Sequence, residues 1–224
     1  MSNEKETKVV HISPPNMKTG IVWIKGTAPL VMHKFSEKAK EEMRRKQERG
    51  SAARNTKRVA KDFNEKFHES RHFSFEGWDG IPATAFKSAC IDASSLAGFT
   101  KSESKKCIFI LGDGYDRDEG VDLVKVIGGE PRMLESMVRV GGITKVADIA
   151  VRAQWLDWGA RLKFRYDADR FTAEDMVNLV HRAGIQCGVC EGRPSSKSSV
   201  GMGWGTFEIS TEEEVMALEK KGAR

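Results

Sequence analysis

The residues best suited to chemistry lie in one glycine-rich run near the C-terminal end. It reads Gly184, Ile185, Gln186, Cys187, Gly188, Val189, Cys190, Glu191, Gly192, Arg193 and Pro194, then a serine-rich stretch at 195–199. Gly201, Met202, Gly203, Trp204, Gly205, Thr206 and Phe207 follow. Six glycines fall within 22 residues, with Arg193 and Lys197 among them. Glycine removes the side chain, so backbone N–H groups can approach a ligand closely. N–H groups, hydroxyls and two cations together suit phosphate. No Gly-Lys-Ser/Thr follows, so the run is not a nucleoside-triphosphate loop. Nor is it a dinucleotide fingerprint, which needs its glycines between a strand and a following helix. By spacing, the run serves equally as a ligand loop or as a glycine-packed junction between strands.

Three further groupings could carry chemistry. His33, just after the first strand, could act as the general acid or base of a phosphodiester-cleaving site, with His68 or His72 behind it. Asp62 and Asp79 are carboxylates that could take the same part. A lone exposed histidine more often has no such role. Cys187 and Cys190 have CxxC spacing, but tetrahedral zinc needs four ligands and no second pair is present. His181 lies six residues upstream, and Cys90 and Cys107 are far off. A redox CxxC opens a helix, whereas this one stands in a glycine-rich strand region. Asp113, Asp116, Asp118 and Glu119 make an acidic turn without EF-hand spacing, which reads as solvated. No metal or other cofactor is expected, and the protein is expected to bind rather than to catalyse.

The 224 residues include 37 Lys and Arg against 32 Asp and Glu, a net charge of +5. The distribution says more than the total. Residues 34–71 hold 13 Lys and Arg against 7 Asp and Glu, while the remainder is nearly balanced at 24 against 25. A localised basic segment is the electrostatic footprint of a polyanion partner. The plain alternative is a solvated charged helix with no partner. The polar N-terminus has no apolar signal core, and no run approaches the roughly 20 apolar residues of a membrane span. A cytosolic protein with reduced thiols is expected.

The elements that position these residues follow from periodicity and punctuation. Residues 1–18 read as a flexible leader. Residues 20–25 form a first strand, continued over 27–31 as a kinked or edge strand across Pro29. Ser36 caps a helix running to Arg49, with Glu41/Arg45 and Glu42/Lys46 pairs and only Ala39 and Met43 to bury, so it should project from the core. Residues 50–60 read as mobile. Phe63, Phe67, Phe73, Phe75 and Trp78 are interleaved with His68, Arg71 and His72. This mixture suits base stacking with phosphate contact, or else returns the chain to the core.

A helix is expected over 81–98 with Phe86, Ala89, Cys90, Ala93, Leu96 and Ala97 inward. A strand follows over 106–111. One hairpin is expected from 121–127 and 132–140 around Gly128, a second from 148–155 and 160–166. In the second, Ile149, Val151, Ala153, Trp155, Leu162, Phe164 and Tyr166 alternate with Arg152, Arg161, Lys163 and Arg165, which predicts one apolar and one basic face. Thr172 caps a helix that buries Met176, Leu179, Val180 and Ala183 and stops at Gly184. Residues 185–189 and 204–209 read as strands, and 211–224 as a charged tail. This order predicts an α+β fold: a ferredoxin-like, RRM-like antiparallel sheet with helices on one face. It occupies a single domain over 19–210, with a basic helical insertion at 34–75 after the first strand and a protruding hairpin.

Two elements carry a resemblance. The first is a helix ending in Ala183-Gly184, then Gly188-x-x-Glu191-Gly192-Arg193-Pro194, then Gly201-x-Gly203-x-Gly205-x-Phe207 on the terminal strand. The second is the proline, small residue and helix at Ile81, Pro82, Ala83 and Thr84. Together they resemble the RAMP superfamily, which includes the backbone subunits of CRISPR effector complexes. The resemblance implies an RRM-like core, an insertion, a protruding hairpin and subunits that stack along single-stranded RNA. Carried over residue by residue, it puts nucleic-acid contacts at Lys34, Arg44, Arg45, Arg54, Lys57 and Arg58 in the insertion, and at Lys87 on the helix after the proline. Arg139 falls at the protruding hairpin, and Arg193 and Lys197, with Trp204, in the glycine-rich loop. With no RNA-processing signature, the expectation is a stand-alone phage or mobile-element relative, forming homo-oligomers on single-stranded RNA or DNA. The competing readings are an RNA endonuclease of the same superfamily and a phage-type assembly protein whose charged arm grips a neighbouring subunit.

Overall fold

Two central strands set the architecture through their side-chain alternation. The first, β1 (Met17–Gly26), turns Val22 and Ile24 inward and Ile21 and Trp23 outward. The second, β10 (Trp158–Asp167), buries Ala160, Leu162, Phe164 and Tyr166 and exposes Arg161, Lys163 and Arg165. They pair antiparallel, with Ile24 opposite Ala160 and Val22 opposite Leu162. In the computed structural model, which describes residues 12–35, 37–49, 61–140, 146–197 and 201–222, β11 (Phe207–Ser210) flanks β1, and β4 (Ile108–Leu111) flanks β10. The sheet order is β11-β1-β10-β4, and the short β7 (Ile127–Gly128) pairs with the start of β10.

Two helices connect these strands. The path is β1, α3 (Ala83–Leu96), β4, β10, α5 (Ala173–Arg182), β11. That is the βαββαβ ferredoxin-like connection, so the expected α+β, RRM-like fold is the fold observed. Phe86, Ala89, Cys90 and Ala93 of α3 and Met176, Leu179, Val180 and Ala183 of α5 share one core with Ile24, Leu162, Phe164, Ile110 and Phe207. Each large side chain buried there contributes about 1.5–3 kcal/mol relative to exposure. Phe207 meets Phe86 and Trp158 edge-on, with centroids 5.8 and 6.1 Å apart.

Two small sheets extend this frame. One is β2 (Leu30–Met32), β9 (Val146–Trp155) and β8 (Arg132–Val140); the other is β3 (Gly80–Pro82), β6 (Asp122–Lys125) and β5 (Gly114–Tyr115). The strands expected in the two hairpins exist, but they do not pair as read. β8 pairs with β9, not with β6, and β9 passes on to β2 rather than to β10. Trp155 and Trp158, on either side of the Leu156-Asp157 link, are both buried. The link therefore carries the chain from one sheet to another. Such a link looks the same in sequence whether or not its strands pair. Arg152 accordingly does not share the basic face of β10; it is buried, donating to Ser136 and Glu191.

Other departures are local. Residues 101–107 form a short helix, α4 (Lys101–Cys107), where the start of a strand was expected; the Thr100 hydroxyl caps it by accepting the Glu103 N–H. Leu96 is 60% exposed, because α3 ends there and its last turn leaves the core. Thr172 and Asp175 cap α5 reciprocally, as their spacing predicts. Gly184 does not end that helix: the chain continues through a π-helical turn, Ala183–Cys187, where a strand was expected. Gly184 is small because a Cβ there would sit 2.1 Å from the Phe207 carbonyl oxygen. The terminator is Gly188, at φ 65°, whose N–H donates to the Ala183 carbonyl. The last strand starts at Phe207 rather than at 204.

The insertion contains α1 (Glu37–Arg49) as expected, and then α2 (Phe63–Glu69). Ser36 and residues 50–60, with Arg54, Lys57 and Arg58, lie outside the described residues, as do residues 1–11 of the leader. The terminal segment forms α6 (Glu212–Gly222), which lays Val215 and Leu218 over Gly159. Among the described residues no helix is long and apolar enough to cross a membrane.

Candidate nucleic-acid interface

Lys87 and Asp92 of α3, Lys101 and Lys105 of α4, and Arg193 and Lys197 of the glycine-rich loop surround one cleft of about 800 Å³. Three of the expected contacts, Lys87, Arg193 and Lys197, thus come together. Lys101 and Lys105 join them from α4, which periodicity did not reveal because the helix is short and polar. The Lys101 ammonium donates to Asp92 at 2.6 Å. Lys87 Nζ lies 4.6 Å from the centre of the Phe109 ring. Lys105 and Lys197 are exposed and have no partner among the described residues.

The loop is held mainly by its own backbone. N–H groups of Val189, Glu191, Ser195, Ser196, Met202 and Gly205 all donate to protein carbonyls. These groups are therefore not offered to a ligand, and in this respect the run acts as the glycine-packed junction. What it presents to the cleft is side-chain charge. Cys190 stands in the left-handed region at φ 63°, and its carbonyl accepts from Arg193 Nη1 at 2.9 Å. That turn fixes the guanidinium in the wall of the cleft. Burial pushes the Cys190 thiol up to about 12 and raises Cys187 as well, so neither cysteine is a thiolate at neutral pH. Among the described residues no three His, Cys, Asp or Glu side chains gather as metal ligands.

Glu191 and Arg193 also line an adjoining pocket of about 350 Å³, with Met32, His33, His72 and Cys190. His33 Nδ1 lies 3.8 Å from Glu191, whose other oxygen accepts from Arg152 at 2.9 Å. Interaction with His33, and with Arg152 against the opposing effect of burial, holds the Glu191 carboxyl at about 2. His72 Nδ1 lies 2.8 Å from Asp116 Oδ2. An ionised carboxylate only accepts, so Nδ1 carries the proton and Nε2 keeps its lone pair. Burial lowers the His72 pKa, outweighing Asp116.

Asp116 is the hub beneath this pocket. It is fully buried and accepts from the Asp118 and Glu119 N–H groups and from Lys34. Burial alone would raise its carboxyl, but the Glu119 N–H, His72, Lys34 and the Asp118 N–H hold it at about 2. The acidic turn is therefore not simply solvated. Lys34, expected as a phosphate contact, is buried between Asp116 at 3.0 Å and Asp118 at 2.8 Å. Its ammonium faces these carboxylates, not solvent. The sequence signal was present in both halves, an isolated lysine after a strand and a turn rich in acids, but nothing in spacing joins them.

The remaining candidates are dispersed. Arg44 and Arg45 are exposed on α1, Arg45 lying 3.6 Å from Glu41. Arg139 falls in β8, and only its backbone is described. The Trp204 ring lies against Gly192 and is not part of the cleft wall. Asp62 caps α2, Asp79 holds Arg71 through Nε at 2.8 Å, and His68 is exposed beside Phe67. Arg71 is buried over the Phe73 ring at 4.5 Å, so this part of the aromatic-basic stretch serves the fold.

No protein-family model matches the chain, and no curated protein matches it by sequence. Among solved structures, Cmr6 from Pyrococcus furiosus is similar at 13% identity and a TM-score of 0.38, over 87% of this chain and 99% of that one. A likeness of that size establishes no common function.

Proposed function

We propose that the protein binds the phosphate backbone of a single-stranded nucleic acid in the cleft between α3, α4 and the glycine-rich loop, and holds the strand without cutting it. The convergence of Lys87, Lys101, Lys105, Arg193 and Lys197 on one concave surface carries this reading. The two carboxylates in the same wall are already engaged, Asp92 with Lys101 and Glu191 with Arg152. Cations focused in a cleft raise the local concentration of a polyanion and speed its association. Contacts of this kind follow the backbone and carry no sequence information. RNA is the favoured ligand, supported by the RRM-like frame and by the resemblance to the RAMP superfamily. Oligomers stacked along the strand belong to the same reading and rest on that resemblance.

The test is fluorescence anisotropy with labelled single-stranded RNA, single-stranded DNA and duplex at two salt concentrations, the products being run on a denaturing gel. Affinity for a single strand that falls steeply with salt, with the strand intact, is the expected result. Absence of binding to all three overturns the proposal and favours the assembly-protein reading. A second reading has one specific observation behind it: His33 and His72 line the same pocket beside the cleft, and His72 leans on a buried carboxylate. Cut RNA on the gel, lost on His72→Asn substitution, would bring that endonuclease reading forward.

A further inference from the structure

We infer that the pocket beside the cleft takes a ribose of the bound strand, that His72 accepts a hydrogen bond there from the 2′-hydroxyl, and that this contact selects RNA over DNA. The inference rests on reading the cleft as a phosphate site. His72 is 8% exposed, and its Nδ1 donates to Asp116 at 2.8 Å. Its Nε2 has no partner among the described residues. Among those residues only Arg152 Nε is both unpartnered and sealed from solvent, so Nε2 of His72 opens onto free space. That space is the pocket of about 350 Å³ that His72 lines with His33, Pro82 and Thr84.

The ring is fixed in both aim and charge. Asp116 is itself held by the Asp118 and Glu119 N–H groups and by Lys34. Nδ1 therefore has one place to donate, and Nε2 one direction to face. A proton on Nε2 would add a second buried cation beside Lys34, and burial opposes it as well. His72 is thus a neutral acceptor, held in place before any ligand arrives. An acceptor closed off without a partner costs free energy, and a hydroxyl on the ligand removes that cost.

The other walls of the pocket select which hydroxyl. Pro82 and Thr84 stand at the start of α3, where no side chain caps the helix and the first turn has no acid. Its first N–H groups therefore keep their partial positive charge. Arg193, Thr84 and Glu191 line the pocket and the cleft alike. Glu191, the one carboxylate of the pocket, is engaged by Arg152 and lies 3.8 Å from His33. A phosphate between Arg193 and the start of α3 thus belongs to both spaces. In RNA the hydroxyl sits on the sugar carbon next to the one that bears the 3′ phosphate, so the phosphate brings a 2′-OH with it. DNA would satisfy the cations and leave Nε2 without a donor. A site built around a hydroxyl rejects a ligand that lacks one, and the 2′-OH is the group that distinguishes the two nucleic acids.

The experiment titrates one labelled single-stranded sequence in three forms, RNA, 2′-fluoro RNA and DNA, over a salt series. Fluorine keeps the sugar pucker of RNA but cannot donate a hydrogen bond. The unaltered protein should bind RNA about tenfold more tightly than either other form, with one salt slope for all three because the contact is uncharged. His72→Phe keeps a ring and removes its nitrogens. It should bind all three forms as the unaltered protein binds DNA, and that retained binding shows the variant to be folded. The fluoro comparison needs no variant and stands on its own. RNA and 2′-fluoro RNA bound alike, or RNA and DNA bound alike, overturn the inference and leave the cleft reading in place. An RNA preference that survives His72→Phe, or an equal loss on all three forms, overturns the assignment to His72. RNA cut by the unaltered protein overturns it in favour of the endonuclease reading. Failure to bind any of the three overturns the cleft reading as well.

Discussion

Lys34 and Asp116 form a buried ion pair at 3.0 Å, with side chains 3% and 0% exposed. The lysine follows β2 and the aspartate belongs to the acidic turn after β5, so one charge pair ties two distant segments together. Removing Asp116 leaves the buried Lys34 ammonium with Asp118 alone, and removing Lys34 leaves the buried carboxylate with His72 and two backbone N–H groups; breaking a buried pair in this way costs up to about 3–5 kcal/mol. Asp116→Ala should therefore lower stability by that order in chemical denaturation, and Lys34→Met nearly as much. The paired variant Lys34→Met with Asp116→Leu should recover much of the loss. A paired variant no more stable than the single ones would show that the pair is not the source of the stability.

Acid should weaken the fold in two stages. His72 is held below its usual 6.5 by burial, so the unfolded chain takes up that proton first as pH falls. Its contribution is complete above pH 6.5 and is lost as pH drops from there through the folded value. Asp116, held at about 2 against an ordinary 3.8, contributes stability that is complete above 3.8 and lost as pH falls through 2. Both act in the same direction. Urea denaturation at pH 8, 6, 5 and 4 should give a stability that declines from the first stage onward, and His72→Gln should remove that stage. Stability rising on acidification over this range would contradict the assignment.

The frame was legible because it depends on local repetition. Inward Leu162, Phe164 and Tyr166 alternate with outward Arg161, Lys163 and Arg165, and Met176, Leu179, Val180 and Ala183 recur at helical spacing. Those patterns give strands, helices and their order, and the order gives the ferredoxin-like sheet. Partners were not legible where they depend on three dimensions. Nothing local tells β9 to leave β10 for β2, or Lys34 to meet Asp116 across 82 positions. Half of the cleft could be read, through Arg193, Lys197 and Lys87. The half from α4 could not, since a seven-residue polar helix leaves no periodic trace.

If the cleft grips phosphates, its cations should act through charge alone. Lys105→Ala, Arg193→Ala and Lys197→Ala should each weaken binding to all single-stranded sequences alike and reduce the salt slope by about one. Lys105 and Lys197 are the most telling of the three, being exposed and without a partner among the described residues, so their loss disturbs little else. Anisotropy titrations over a salt series measure this. A variant that shifts sequence preference with an unchanged slope would place that side chain on a base rather than on a phosphate.

The insertion supplies the last comparison. Arg44 and Arg45 are exposed on α1, and the Arg45–Glu41 pair at 3.6 Å is of the surface kind that contributes little to stability. Replacing Arg44, Arg45, Arg54 and Arg58 with Ala should therefore leave the melting temperature close to its starting value. If the arm lies along the strand, the same change weakens binding uniformly and flattens the salt slope. An unchanged slope would assign the phosphate contacts to Arg193 and its neighbours in the cleft, with the arm left to contact another protein surface. Measuring the arm variant and the Arg193→Ala variant over one salt series separates the two, because slopes from independent contacts add and the combined variant should then lose the sum.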